Sequence, residues 1–319
     1  MFSNRRSRGK HLIRCFLFVV IVGVTSAGFY QMAFAVDPQQ KSFGSPEEAV
    51  KALMDAVKGG DVEKLLAIFG IQGKELILSG DEVADKAGRG LFFKAYEEKN
   101  RLVNENDKKV ILFVGNKEWP FPIPIIKQDE NWLFDTKAGK EEILNRRIGR
   151  NELNAVQVCL AYVDAQREYA LQDWDADKIL EYAQRFMSEK GKKNGLYWET
   201  KEGEEPSPLG PLVAKAAKEG YTGKKPGGKS SPYHGYYYRI LKAQGKNAKG
   251  GEYDYTVKGN MIGGFALLAY PAEYGNSGVM TFIVNQEGVV FEKDLGKNTE
   301  KVGAAIKKFD PDKTWKNVD

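Results

Sequence analysis

The chain has 319 residues, of which 42% are hydrophobic, and it carries 48 basic against 43 acidic side chains. Five of the basic residues and none of the acidic ones lie in the first 35 positions, so the other 284 residues have no net charge. This balance argues against general nucleic-acid binding, which depends on a positive surplus facing the phosphates.

The first 35 residues have the three parts of a secretory signal peptide. A basic head is followed by an apolar run over 15–30 and by the triplet Ala33-Phe34-Ala35. Small residues at the first and third positions of such a triplet are typical of a cleavage site. We therefore expect export, cleavage near Ala35, and a periplasmic or extracellular location. The open alternative is an uncleaved segment, which would be the protein's only link to a membrane.

Cysteine and histidine are scarce in this chain. Cys15 lies in the predicted signal segment, so Cys159 remains alone and no intramolecular disulfide can form after cleavage. Cys159 belongs to an apolar helical stripe and is expected to be a buried, inert thiol. His234 is the one histidine outside the signal segment, and a single histidine cannot supply a His-based metal site. No nucleotide-binding loop or nucleophile elbow is present. We therefore expect no cofactor and no metal, and we assign no catalytic residue.

Three alternating carboxylates resemble the start of a calcium-binding loop: Asp173, Asp175 and Asp177. An EF-hand loop also needs Gly at its sixth position and Glu at its twelfth, where this chain has Lys178 and Gln184. We interpret the carboxylates instead as N-terminal caps of a helix over 173–190.

Residues 36–136 are predicted to form a small α+β domain. Ser45, Asp61 and Asp81 each precede a helical apolar stripe and are suited to cap a helix. Strand-like apolar runs follow over 110–114 and 131–136. Helices followed by a strand meander are typical of the α+β class.

Residues 137–319 are predicted to form a second domain. A long helix over 137–171 and a helix over 173–190 precede an irregular insert at about 191–231. That insert contains a short helix over 209–219 and an exposed loop over 222–231. Strand candidates follow over 236–241, 253–257, 265–269, 279–284 and 289–291, before a closing helix over 299–309. We expect the long helix to pack on an antiparallel sheet.

Two groups of side chains are candidates for binding a small ligand or a partner protein. The first group comprises His234, Tyr236, Tyr238 and Arg239. Tyrosine has an apolar ring and a polar tip, so this group suits a groove for sugar or peptide, although it could equally cover the sheet. The second group is Arg146 and Arg150, which lie four apart on one helical face. They could hold a carboxylate or phosphate, or form surface ion pairs.

Longer motifs cover most of the chain after the signal segment. They read FGSPEEAV (43–50), SGD (79–81), NRRIGRNEL (145–153), YVDAQREY (162–169), PYHGY (232–236), GGFA (263–266) and YPAEYG (270–275). Together they resemble the bacterial DUF2950 family of uncharacterised secreted proteins. The resemblance implies export but brings no activity and no catalytic residue. More weakly, the first domain is similar to NTF2-like or cystatin-like domains, and the second to pilin-like domains without the prepilin cleavage signature.

These observations lead to two functional expectations. The first is an exported envelope protein with a non-enzymatic binding or structural role, whose partner is an envelope protein or a small ligand. The alternative is a carboxylate-dependent hydrolase acting on cell-wall glycans, which would need two carboxyl groups about 5–10 Å apart in a cleft.

Overall fold

The computed structural model describes residues 40–201, 203–221 and 231–318. These residues belong to one compact unit, Asp37–Asp319. The predicted signal segment and most of the predicted loop over 222–231 lie outside the described residues. Among the described helices, none combines the length and the apolar composition that a membrane span requires.

Residues 40–135 form short helices followed by an antiparallel sheet. The helices are α1 (Pro46–Gly59), α2 (Val62–Phe69), α3 (Lys74–Ile77) and α4 (Glu82–Glu98). The strands are β1 (Asn100–Asn106), β2 (Lys109–Val114), β3 (Trp119–Pro120), β4 (Ile125–Gln128) and β5 (Asn131–Phe134). The sheet order is β1-β2-β4-β5, with β3 also paired to β2. The buried core of this half includes Leu53, Phe69 and Phe134.

The three caps predicted from the sequence are confirmed. The side chains of Ser45, Asp61 and Asp81 each accept a hydrogen bond from the backbone N–H three residues later, at 3.0–3.2 Å. A cap of this kind satisfies one of the free N–H groups in the first turn of a helix. The boundaries of α1, α2 and α4 therefore follow from local sequence.

The strand β1 was not predicted from the sequence. It is the outer strand of its sheet and pairs only with β2, and most of its side chains are exposed. An outer strand that buries little on either face shows no alternation of apolar and polar residues, which is the signal that predicts strands.

Residues 136–318 form a long helix, an irregular segment and a second antiparallel sheet. The helices are α5 (Thr136–Tyr169), α6 (Gly210–Lys218) and α7 (Thr299–Ala305). The strands of the sheet are β6 (Tyr236–Leu241), β11 (Ala266–Pro271), β12 (Met280–Asn285), β13 (Val290–Asp294) and β14 (Lys316–Asn317). Between β6 and β11 lie the short strands β7 (Ala243–Gln244), β8 (Tyr253–Asp254), β9 (Thr256–Val257) and β10 (Asn260–Met261). The sheet order is β14-β13-β12-β11-β6. The predicted α+β class, with a long helix packed on a C-terminal antiparallel sheet, is confirmed.

The helices α5 and α7 cover opposite faces of this sheet. Side chains alternate between the two faces along a strand. Tyr236 and Tyr238 face α5, where the Cys159 thiol acts electrostatically on both. Tyr270 lies on the other face, and a Cβ atom at Gly303 of α7 would be 3.0 Å from its ring. Cys159 itself is buried, and burial raises the pKa of its thiol to about 12, as expected of an inert thiol.

The predicted helix over 173–190 is wrong, because this segment is irregular in the structure. The Asp173 carboxylate accepts backbone hydrogen bonds from Ala176 and Lys178, and both of these residues have positive φ. Aspartate side chains that bond to nearby backbone compete with helix formation. Farther along, the Gln166 side chain pairs with both backbone groups of Ala183, at 2.7 and 2.8 Å. The segment therefore satisfies its backbone through other parts of the chain.

The three aspartates of this segment consequently do not cap a helix. Carboxylate oxygens of Asp173, Asp175 and Asp177 lie within 4.8 Å of one another on the exposed surface. Asp177 also accepts a hydrogen bond from the Asn260 side chain at 2.7 Å, which ties the segment to β10.

Two glycines of α5 make a matched pair for substitution by alanine. A Cβ atom at Gly139 would lie 2.5 Å from Pro122 O, whereas one at Gly149 would meet nothing within 4 Å. We expect Gly139→Ala to lower the free energy of unfolding by about 2 kcal/mol through overpacking. Gly149→Ala should raise it by about 1 kcal/mol, since Ala is the better helix former. Urea unfolding measures both, and a stabilising Gly139→Ala would contradict the close contact between α5 and the first half.

Candidate functional site

A tight turn before β6 presents the side chain of His234. The backbone N–H of Tyr233 donates to Tyr236 O at 2.9 Å, and the N–H of Tyr236 donates back to Tyr233 O at 3.2 Å. His234 and Gly235 between them have φ values of 49° and 77°, as a type I′ hairpin turn requires. A non-glycine residue in this region carries strain on the order of 1 kcal/mol, and such strain is concentrated at functional sites.

Asp81 anchors this turn from the first half of the unit. Its side chain is buried, and Oδ1 accepts the capping hydrogen bond from Ala84 N at 3.0 Å. Its Oδ2 accepts from Gly235 N and from the Tyr221 hydroxyl, both at 2.9 Å. The Tyr221 hydroxyl in turn accepts from His234 N at 3.3 Å. One carboxylate therefore fixes the start of α4, the turn, and Tyr221 of the insert.

Four side chains meet beside the turn, and we call them the His234 cluster: Glu219, Tyr221, Tyr233 and His234. The rings of Tyr233 and His234 have centroids 4.2 Å apart, and those of Tyr221 and Tyr233 are 4.9 Å apart. His234 Nε2 lies 3.1 Å from Glu219 Oε2. Glu219 also interacts with the Tyr233 hydroxyl, and these three polar groups are buried with no hydrogen-bond partner outside the cluster among the described residues.

The His234 cluster holds neutral donors and acceptors beside one carboxylate. Burial lowers the pKa of His234, while the Glu219 carboxylate acts in the opposite direction with a smaller effect, so the imidazole is neutral at pH 7. Burial and then Glu219 raise the pKa of Tyr233 to about 12. Burial and the neighbouring Asp81 raise the pKa of Tyr221 above its usual range. These neutral groups can both donate and accept hydrogen bonds.

Arg147 holds the segment that precedes α4. Its guanidinium donates to Glu75 O and Leu76 O, both at 2.6 Å, and to the side-chain oxygen of Asn276. The amide group of Asn276 donates to Leu78 O at 2.9 Å. Partial burial lowers the pKa of Arg147. The long helix and the loop between β11 and β12 thus both bind the same segment of the first half.

The second predicted group, Arg146 and Arg150, is divided between two surroundings. Arg146 is exposed, pairs with Glu142 at 2.6 Å and lies 5.6 Å from the ring of Trp119. Arg150 acts electrostatically on His234 and helps to lower the pKa of its imidazole. The structure therefore places Arg150, but not Arg146, within electrostatic reach of the His234 cluster.

In the first predicted group, the residues after His234 bond within the fold. The Tyr236 hydroxyl donates to Met280 O at 2.9 Å, and its ring is fully buried. The Tyr238 hydroxyl donates to Tyr233 O at 3.4 Å. The Arg239 guanidinium donates to two carbonyls of α7, at 2.8 and 2.9 Å. This leaves His234 as the member of its group best placed to meet a ligand.

Sequence reasoning missed Glu219, Tyr221 and the second role of Asp81. Asp81 is a predicted cap, but a cap uses only one carboxylate oxygen, and the prediction gives no partner for the second oxygen. Tyr221 lies 140 positions from Asp81 and in an insert without periodic pattern. No spacing rule connects residues so far apart, and the one local signal is the His234-Gly235 pair, which suits a turn that needs two positive φ values.

A family model described as a protein of unknown function, DUF2950, matches residues 40–318. This chain belongs to the DUF2950 family. No curated protein and no solved structure matches this chain. The similarities to pilin-like, NTF2-like and cystatin-like domains therefore stay predictions.

In this DUF2950 protein, motifs that lie far apart in the sequence meet around the His234 cluster. The segment 79–81 supplies Asp81, and the segment 232–236 supplies the turn. From the segment 145–153, the Asn151 side chain donates to Ser277 O at 2.9 Å, just after the segment 270–275. Two of the motifs that carry the resemblance, 79–81 and 232–236, thus supply the turn and the carboxylate that anchors it.

We expect His234→Asn to keep the fold of this DUF2950 protein and to reduce its sensitivity to acid. Asn is favoured in type I′ turns, so the turn is retained. In the wild type, burial lowers the pKa of His234 below its usual value of 6.5, so the unfolded chain binds the proton more readily. The stability contributed by the neutral imidazole is present above pH 6.5 and is lost as the pH falls below it.

Urea unfolding between about pH 5 and pH 8 at constant ionic strength tests this expectation. The wild type should lose more free energy of unfolding on acidification than His234→Asn. Identical pH profiles for the two proteins would show that His234 does not titrate differently in the folded and unfolded states.

Proposed function

We propose that this protein is exported from the cytoplasm and binds a hydroxyl-rich ligand, a glycan, at the His234 cluster. The proposal of export rests on the basic head, the apolar run and the Ala33-Phe34-Ala35 triplet. The start of the family match at residue 40 supports cleavage near Ala35. The mature protein would then be periplasmic or extracellular, and an uncleaved anchor is the alternative.

Cell fractionation and N-terminal sequencing test export. The mature protein should begin at Val36 and leave the cytoplasmic fraction. A variant with Ala33→Arg and Ala35→Arg should stay unprocessed, because bulky charged side chains block the cleavage site. Phe34→Leu, at the middle position, should be processed as the wild type is. Recovery of the wild type in the membrane with an intact N-terminus would favour the anchor, and recovery in the cytoplasm would overturn export.

The observation that carries the binding proposal is the group of unpartnered polar atoms in the His234 cluster. Glu219 Oε2 and His234 Nε2 lie 3.1 Å apart beside the Tyr233 hydroxyl, and the three are buried with no hydrogen-bond partner outside the cluster among the described residues. Leaving a buried polar group unsatisfied costs about 1–3 kcal/mol, so three in one place require an explanation. Hydrogen bonds to a ligand would recover that free energy on binding.

A glycan suits the chemistry of these three atoms. Sugar hydroxyls donate to a carboxylate such as Glu219 and exchange hydrogen bonds with a neutral imidazole and a phenol. The rings of Tyr221 and Tyr233 provide the apolar surface against which a sugar ring packs. The His234 and Glu219 side chains remain 19% and 32% exposed, so a ligand can reach the edge of the cluster from solvent, and it would bind by displacing the contact between the buried Nε2 and Oε2 atoms.

The hydrolase alternative has less support from this geometry. Two carboxylates act in glycoside hydrolysis, one as acid and the other as base or nucleophile. Asp81 and Glu219 both touch the cluster, but Asp81 is 2% exposed and both of its oxygens accept hydrogen bonds from the protein. Glu219 is therefore the one carboxylate of this pair with room for a substrate.

Isothermal titration of the purified mature protein with soluble oligosaccharides tests the binding proposal. The probes are a chitin trisaccharide, maltotriose and a peptidoglycan disaccharide. We expect at least one to bind and Glu219→Gln to weaken that binding at least tenfold, since the carboxylate accepts from the sugar. His234→Asn should weaken it while the turn is kept.

Glu252→Gln is the control, because Glu252 is an exposed carboxylate that pairs with Lys308 at 2.5 Å and takes no part in the His234 cluster. It should bind as the wild type does, and thermal unfolding should show that each variant is folded. Absence of binding by all three probes, or unchanged binding by Glu219→Gln, would overturn the proposal. Release of shorter sugars in the same samples would favour the hydrolase.

A further inference from the structure

A half-open cavity of about 330 Å³ lies in the first half of the unit, against one face of α1. Its apolar floor is formed by Val50 and Met54 of α1, Leu102 of β1 and Leu112 of β2. Tyr96 of α4 adds an aromatic wall. The cavity shares no residue with the His234 cluster, and its volume is at the lower end of the range for small-molecule sites.

The rim of the cavity carries a line of alternating charges. Glu47, Lys51 and Asp55 line the cavity and follow one another at four-residue intervals, so they lie on successive turns of α1. All three side chains are exposed, and within the described residues none of them takes part in an ion pair. The Lys51 ammonium thus lies between the carboxylates of Glu47 and Asp55, and each of the three groups can still form hydrogen bonds with a ligand.

We propose that this cavity binds a free apolar amino acid as its zwitterion. The ligand's ammonium group would contact Glu47 or Asp55, and its carboxylate would contact Lys51 in the middle of the line. Its side chain would fill the apolar floor, where Met54 and Tyr96 suit an aromatic ring.

The rim disfavours the related ligand classes. An apolar anion, such as a fatty acid, would gain Lys51 but would face two carboxylates of its own sign. An apolar amine would gain a carboxylate but would lie one helical turn from Lys51. A ligand that carries both charges can pair with one carboxylate and with Lys51 at the same time, which neither the anion nor the amine can do.

Titration with a matched set of three ligands tests the proposal on the full-length processed protein. L-phenylalanine carries both charges, 2-phenylethylamine only the positive one, and 3-phenylpropanoate only the negative one. We expect phenylalanine to bind at least tenfold more tightly than the other two. Amide chemical shifts should move in α1, α4 and β1 but not in the turn at His234.

Variants of the rim and floor separate charge recognition from simple apolar burial. Lys51→Gln should remove the advantage of phenylalanine over the amine, and the pair Glu47→Gln with Asp55→Asn should remove its advantage over the anion. Leu102→Trp should fill the cavity and abolish binding in a protein that thermal unfolding shows to be folded. Lys86→Gln, an exposed lysine of α4 outside the cavity, should change nothing.

Two outcomes would overturn the proposal: no binding of phenylalanine at millimolar concentrations, or equal affinity for all three ligands. The cavity and the His234 cluster share no residue. A negative result for amino-acid binding therefore does not contradict glycan binding, and a negative result for glycan binding does not contradict amino-acid binding.

Discussion

Replacing Asp81 with Ala should lower the free energy of unfolding by about 4 kcal/mol. The carboxylate caps α4 and also accepts hydrogen bonds from Gly235 N and the Tyr221 hydroxyl, and it is 2% exposed. Hydrogen bonds to a charged group contribute about 1.5–3 kcal/mol each, and a lost cap costs about 1 kcal/mol. The substitution would leave the Gly235 N–H buried without an acceptor, and water cannot easily take the place of the lost carboxylate.

Asp61→Ala is the matched control for this prediction. Asp61 also caps a helix, accepting from Lys64 N at 3.0 Å, but its side chain is 34% exposed and its ion-pair partner, Lys64, lies in the same helix. Its loss should cost about 1 kcal/mol. Urea unfolding of both variants gives the comparison. Equal losses would mean that Asp81 acts only as a cap and that its contacts with Gly235 and Tyr221 contribute nothing.

Arg147→Gln should lower the free energy of unfolding by about 3 kcal/mol. The guanidinium donates to Glu75 O, Leu76 O and the Asn276 side chain, and thereby joins three separate parts of the chain. A glutamine amide is shorter and cannot reach three acceptors, so buried carbonyls would lose their donor. Lysine offers a single ammonium in place of the planar fork, so Arg147→Lys should recover only part of the loss.

The neighbouring Arg146 provides the control in the same helix. Its guanidinium is 53% exposed and pairs with Glu142 one helical turn away. Exposed pairs of this kind contribute at most about 1 kcal/mol, so Arg146→Gln should shift the urea midpoint only slightly. If the two arginine variants prove equally stable, the contacts of Arg147 do not hold the halves together.

The arginines of α5 also show how far the fold could be predicted from the sequence. The helical spacing of Arg146 and Arg150 indicates a shared face, and that inference concerns only the helix itself. The partners of Arg147 are backbone carbonyls of another helix and the Asn276 side chain in the loop between β11 and β12, and backbone carbonyls leave no mark in the residue pattern. Caps such as Ser45 and Asp61 could be predicted because both partners lie within one turn.

The same distinction explains the irregular segment over 171–209. A helix over 173–190 was predicted there, with the three aspartates as its N-terminal caps. The outcome was decided by local carboxylate bonds at Asp173 and by the distant Gln166 side chain, which holds both backbone groups of Ala183. Tertiary contacts of this kind override a weak local preference.

The bond between Gly235 N and Asp81 joins residues 154 positions apart, and this has a consequence for the order of folding. Closing so long a loop costs entropy that only contacts formed at the same time can offset. The helices of the first half can form from local contacts, whereas the turn is fixed only when β6 has paired. The His234 cluster should therefore assemble late, after nearly all of the chain has been synthesised. In native-state hydrogen exchange, the Gly235 amide should exchange only when the whole unit opens.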